Sequence, residues 1–173
     1  DDVVVGLDTE LTKDAKVELL TFADSEGKHA LRHSASHILA QAVQRLYKNV
    51  QLAIGPAIEN GFYYDFDVEK PFSPEDLEKI QKEMEKIIQE NLSIERKELS
   101  RKDAIKMFAD KGETYKVELI NDLPEDAVIS TYQQGEFVDL CAGPHVLSTG
   151  KVKAFKLQSI AGAYWRGDEK RKM

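Results

Sequence analysis

The spacing of apolar positions changes several times along the chain, and each change marks an element. Val3-Val4-Val5 is a β-branched run, and Val17, Leu19 and Thr21 alternate with Glu18, Leu20 and Phe22. Residues 1–23 therefore read as strand, turn, strand, the second strand with at least one buried face. From Ser25 to Tyr47 the period becomes helical, with Leu31, Ala35, Ile38, Leu39, Ala42, Val43 and Leu46 in register. Between Leu52 and Phe66 the chain is rich in Gly, Pro and aromatics, and Asn60-Gly61 predicts two strands joined by a tight turn. Ser73-Pro74-Glu75-Asp76 is a helix start: a capping serine, proline at the first helical position, acids at the positive helix end. The stripe Leu77, Ile80, Met84, Ile87, Ile88 continues that helix. An extended link then reaches Ser100, which caps a short helix through Ala104, Ile105 and Phe108, with Gly112 to end it. A further short helix is predicted over Tyr115–Asn121. Strands follow near Ala127–Tyr132, Phe137–Leu140 and Ala154–Ile160, with a turn at Gly162. The pattern predicts an α+β fold with helices packed on a mostly antiparallel sheet.

Composition narrows the class. Of 173 residues, 42% are hydrophobic and 32% charged, as in ordinary globular proteins. No apolar run approaches the roughly 20 residues of a membrane helix, and the acidic start has no basic signal region. The single cysteine excludes an internal disulfide and fits a reducing, cytoplasmic setting. The chain lacks an initial Met and stops in a charged run, so it is expected to be a piece of something longer. Twenty-four basic and 31 acidic residues give a net charge of -7. That balance argues against gripping a long duplex, which needs phosphate neutralisation. It permits receiving the tip of a nucleic acid anchored by another domain. The basic clusters Lys151-Lys153-Lys156 and Arg166 to Lys172 read as solvated surface.

Candidate chemistry gathers in two frames, His33-Ser34-Ala35-Ser36-His37 and Cys141-Ala142-Gly143-Pro144-His145. They hold three of the four histidines and the only cysteine. Histidines four apart on a helix project from one face and can converge on one small object. Ala-Gly-Pro between Cys141 and His145 favours a tight turn. Three readings compete: satisfied core residues, a zinc site built from preferred Cys and His ligands, and a hydrolytic site in which histidine activates water. Spacing does not separate the last two.

The residues also match a family in order along nearly the whole chain. His33-Ser-Ala-Ser-His37, Ile54-Gly55-Pro56, Gly61-Phe62-Tyr63-Tyr64-Asp65, Asp139-Leu-Cys141-Ala-Gly-Pro-His145 and Ala161-Gly162-Ala163-Tyr164-Trp165-Arg166-Gly167-Asp168 resemble the threonyl-tRNA synthetase family. The related alanyl-type editing domains usually carry Cys-Gly-Gly-Thr-His, so Gly-Pro-His favours the threonyl branch. The resemblance implies three parts: residues 1–23 as the end of a ubiquitin-like TGS domain, 24–160 as the editing (second additional) domain, and 161–173 as the approach to a class II catalytic domain absent here. It implies hydrolysis of serine wrongly esterified to threonine tRNA, with the tRNA(Thr) acceptor end as partner and no membrane. His33, His37, Cys141 and His145 match the family's editing pocket, Asp139 an acidic residue beside it, and Lys116 a lysine used in hydrolysis. Gly55, Tyr64 and Tyr132 match positions that line the pocket for substrate. No metal is expected to be required. Zinc, if bound, would sit on His33, His37, Cys141 and His145, whereas ATP and a further zinc would belong to the catalytic domain, through which the full-length enzyme is expected to dimerise. The alternatives are an alanyl-type deacylase and a zinc-stabilised RNA- or protein-binding module without catalysis.

Overall fold

A computed structural model describes residues 3–173. The fold is α+β, four helices packed against small antiparallel sheets. Its axis is α1 (Ser25–Leu46), whose middle turns are buried on every side. One face, Ala35, Ile38, Ala42 and Val43, packs on Ile80, Met84 and Ile87 of α2 (Pro74–Glu90). Each such fully buried aliphatic side chain contributes about 1.5–3 kcal/mol. Ser73 starts α2 with a reciprocal cap: its hydroxyl accepts from the Asp76 amide and the Asp76 carboxylate accepts from its own amide. A second face of α1 meets Leu52, Tyr64 and Phe137 around Ala40.

Two short ladders flank α1. β1 (Gln51–Leu52) pairs with β4 (Phe66–Asp67), and β2 (Ala57–Ile58) pairs with β3 (Gly61–Phe62). The hairpin predicted from Asn60-Gly61 forms, but its register Ile58↔Gly61 places Glu59 and Asn60 in the turn, one position early. The main sheet has the order β5-β6-β7, from β5 (Glu95–Leu99), β6 (Ile129–Gln134) and β7 (Phe137–Leu140). The segment leading to Ser100 is thus a paired strand, not only an extended link. Ser100 caps α3 (Arg101–Asp110), which packs through Ala104 and Phe108 on Ile120 of α4 (Thr114–Asp122) and on Ile129.

Three strand expectations are not met. Residues 3–6 and 17–22 form no ladder among the described residues, and Val17, Leu19 and Phe22 are exposed. An alternating strand needs neighbours to take its amides and cover its apolar face, and this segment has none here. Asp1 and Asp2 lie outside the described residues. Ala154–Ile160 is likewise unpaired and runs over α2, where the Leu157 amide donates to Gln81. Residues 161–173 are docked on α4. Trp165 is buried against Tyr115 and donates to Glu118, and Arg171 grips Glu118 with two bonds.

Candidate functional site

The site lies where α1 crosses the end of β7. Period two puts Phe137, Asp139 and Cys141 on one face of that strand, and cross-strand register sets Tyr132 opposite Asp139. His33 and His37, one turn apart, face them from α1. The cysteine sulfur lies 3.4 Å from His33 Nε2 and 3.1 Å from His145 Nε2. The His145 ring sits 4.4 Å from His33, 4.3 Å from His37 and 4.4 Å from Tyr132, between centroids. The four predicted side chains His33, His37, Cys141 and His145 therefore meet in one place.

Asp139 forms the floor. Its Oδ2 accepts from Tyr64 Oη at 2.6 Å and lies 3.5 Å from His37 Nε2, and its Oδ1 pairs with Lys116 Nζ at 2.7 Å. Lys116 also donates to the Ala53 carbonyl at 2.7 Å and to Tyr64 Oη at 2.9 Å. Two of its ammonium protons are thus engaged in hydrogen bonds, and the charge is paired with Asp139. Glu113, one turn earlier on the chain, pins α4 in place: its carboxylate accepts from the Leu52 amide and the Gln44 side chain.

Two glycines allow the aromatic walls to close. A side chain at Gly55 would run into the Tyr64 ring, and one at Gly143 into the Tyr132 hydroxyl. Gly143 also takes φ +75°, a left-handed conformation that favours glycine. Gly55 is held from α1, whose Ser36 hydroxyl bonds its carbonyl at 2.7 Å. All nine residues selected from the sequence therefore lie in or directly around one cluster. Sequence reasoning missed Ser34, Ser36, Glu113 and the Ala53 carbonyl. Ser34 and Ser36 carried a weak signal, as small polar residues on the buried part of a helix between two histidines.

Burial sets the protonation of the cluster. It lowers His33 to about 4, with the neighbouring His29 acting in the same direction, and holds His37 and His145 well below the usual histidine range. It pushes the Cys141 thiol up to about 12 and the Tyr64 phenol well above its ordinary value. At neutral pH the cleft thus offers three uncharged imidazoles and an intact thiol, so bases rather than a thiolate nucleophile. The same shifts predict an acid-sensitive fold. In the unfolded chain each histidine takes a proton near pH 6.5, but folded His33 does not until about 4. Between those values the unfolded state binds more protons, so stability falls as pH falls through 6.5 and levels out near 4. For His33 alone the loss is about 3 kcal/mol, and His37 and His145 add to it. Urea midpoints at pH 7.5, 6 and 5 in the presence of a chelator measure this. A midpoint unchanged between 7.5 and 5 contradicts the burial of these rings.

The cluster also fits a metal. One ligand atom from each of His33, His37, Cys141 and His145 lies within 4.8 Å of the others. His37 Nδ1 is buried without a partner, a lone pair that a cation would satisfy. Three nitrogens and one sulfur are a zinc-type donor set.

A family model described as the threonyl and alanyl tRNA synthetase second additional domain matches residues 129–173, which include Tyr132, Asp139, Cys141 and His145. A threonine–tRNA ligase of Clostridium tetani is 65% identical over 170 residues, 98% of this chain and 27% of that protein. One from Clostridium kluyveri is 65% identical over 173 residues, 100% and 27% respectively. One from Acetivibrio thermocellus is 66% identical over 170 residues, again 98% and 27%. The chain belongs to the threonyl-tRNA synthetase family. It spans 27% of the length of these threonyl-tRNA synthetase relatives. The match to an editing-type domain supports an editing-related role in that family. Among the described residues no helix is long and apolar enough to cross a membrane.

Proposed function

We propose that this chain hydrolyses the ester of seryl-tRNA(Thr), the product of mischarging by a threonine-specific synthetase. The observation that carries the reading is the cluster itself: three converging imidazoles and a thiol beside a buried Lys116–Asp139 pair. A synthetic site that accepts threonine rejects serine weakly, since one missing methyl is worth only about 1–3 kcal/mol. A second, hydrolytic site closes that gap. The partner in this reading is the acceptor end of the tRNA, and the amino-acid ester is the substrate.

His33 is the general base in this mechanism, because it is the one cluster imidazole that is only half-buried and so open to incoming substrate. A water attacks the ester carbonyl carbon and gives its proton to His33. The bond from carbonyl carbon to ribose oxygen then breaks, and the proton passes from His33 to that oxygen. Serine and tRNA with a free terminal hydroxyl leave. Lys116 contributes its positive charge to the developing oxyanion from beneath the pocket. Asp139 orients His37, and Tyr64 and Tyr132 form walls.

Zinc bound by His33, His37, Cys141 and His145 would supply a Lewis acid that lowers the pKa of its water. Such binding would release the Cys141 proton. The resemblance to the threonyl branch implies hydrolysis without metal, so the chain is expected to deacylate after exhaustive chelation. The test incubates it with seryl- and threonyl-tRNA(Thr), with and without chelator, and follows ester loss. Activity that disappears on chelation and returns with zinc overturns the metal-free mechanism, and no ester loss under any condition overturns the deacylase.

A further inference from the structure

We infer that Ser34 is a positioning residue that fixes the tautomer of His145, holding the proton on Nδ1 and turning the Nε2 lone pair toward the Cys141 thiol. Ser34 is fully buried on α1, one residue after His33. Its hydroxyl oxygen has three neighbours: the Ala30 carbonyl at 2.8 Å, the Val146 amide at 3.0 Å and His145 Nδ1 at 2.9 Å. A hydroxyl has one proton and two lone pairs. The Val146 N–H can only donate, so it takes one lone pair. The Ala30 carbonyl can only accept, and two oxygens 2.8 Å apart repel unless a proton lies between them. The hydroxyl proton is therefore committed to Ala30. What remains for His145 is the second lone pair, which requires Nδ1 to donate.

The consequence reaches the cleft. Neutral imidazole has one N–H and one lone pair. With the proton on Nδ1, Nε2 is an acceptor, and it lies 3.1 Å from Cys141 Sγ. An S–H there can donate to Nε2. The reverse tautomer would turn an N–H toward Cys141 Sγ and leave no lone pair on that side of the ring. Ser34 also ties the loop to the helix, since the same oxygen accepts from the Val146 amide that follows His145. One hydroxyl thus sets both the position of the CxxxH turn and the direction in which its histidine points. Removing such a partner costs about 10–100-fold where it orients a metal-ligating histidine, and a loss of that order is expected for an imidazole packed 4.4 Å from the base His33.

The effect on hydrolysis rests on the deacylase reading, whereas the tautomer does not. The chain labelled with 15N in its four histidines is examined by long-range proton–nitrogen correlation in chelator, and the His145 ring is assigned by its loss in His145→Gln. The expected pattern is a protonated Nδ1 and an unprotonated Nε2. In Ser34→Ala that pattern is expected to shift to a mixture or to the reverse, and in Ser34→Thr, which keeps a hydroxyl, to return. Single-turnover deacylation is expected to fall about 10–100-fold in Ser34→Ala with half-saturation unchanged, and to recover in Ser34→Thr. A wild-type His145 protonated on Nε2 overturns the inference even if no variant folds. An unaltered ring pattern in folded Ser34→Ala overturns it as well. A changed tautomer with an unchanged rate removes the positioning role. An inactive wild-type chain with the expected ring pattern would count against the deacylase alone.

Discussion

Lys116→Ala is expected to destabilise the chain by about 3–5 kcal/mol, because it strands a buried carboxylate. Asp139 is 2% exposed, and the ammonium 2.7 Å away is the cation paired with it. The substitution also leaves the Ala53 carbonyl without its lysine proton and removes the donor to the Tyr64 hydroxyl. Against a typical total stability of about 5–15 kcal/mol, such a variant would be partly unfolded, and lost activity in it would say little about catalysis. The informative companion is Lys116→Met with Asp139→Asn, which removes both charges. Replacing both partners of a buried pair is often near neutral, so the double variant should recover most of the stability. Urea denaturation of the two single variants and the double supplies the coupling. If Lys116→Ala alone costs less than about 1 kcal/mol, the cleft floor is not organised by this pair. Deacylation by the folded double variant then reports what the charges do for the reaction: a large loss assigns them to the oxyanion, and full activity removes them from the mechanism.

The cluster was legible because two periodicities are written directly into the chain. Four residues per helical turn align His33 with His37, and two per strand step align Asp139 with Cys141. Neither needs knowledge of distant contacts. The strong start signal at Ser73-Pro74 was legible for the same local reason. What escaped depends on partners far along the chain. Ser34 is silent as a serine until Val146 and His145 arrive more than a hundred residues later. That Lys116 pairs with Asp139 and bonds Ala53 and Tyr64 becomes visible only when those distant segments meet α4. The alternation in residues 17–22 is a strand signal that a lone segment cannot cash without neighbouring strands, and the exposed Val17, Leu19 and Phe22 show the result. The docking of Trp165 on Tyr115 likewise depends on a partner far along the chain.

A seryl ester is expected to be deacylated about 10–100-fold faster than the threonyl ester on the same tRNA. Both substrates carry the same amino and hydroxyl groups, so the hydrogen bonds of the cleft do not separate them. Only the threonine γ-methyl differs, and filling space for one methyl gains too little to select serine. Selection must come from obstruction, and obstruction works only if the wall does not yield. The cleft has such walls. Tyr64 is held at both ends, its hydroxyl by Asp139 and Lys116 and its ring stacked 5.0 Å from Phe66. Behind it, Gly55 leaves no room for a Cβ, and Ser36 ties that backbone to α1. Tyr132 lies against His145 on one side, and its hydroxyl crowds Gly143 on the other. Moving either ring to admit a methyl disturbs the imidazoles or the carboxylate that the reaction uses. A threonyl ester is therefore penalised twice, in binding and in the placement of the attacking water. Single-turnover rates for the two esters decide the matter, and a ratio near one means that the specificity lies elsewhere. Tyr132→Phe separates the walls further: it keeps the ring but removes the hydroxyl that abuts Gly143, so the ratio should narrow through faster threonyl hydrolysis while the seryl rate holds.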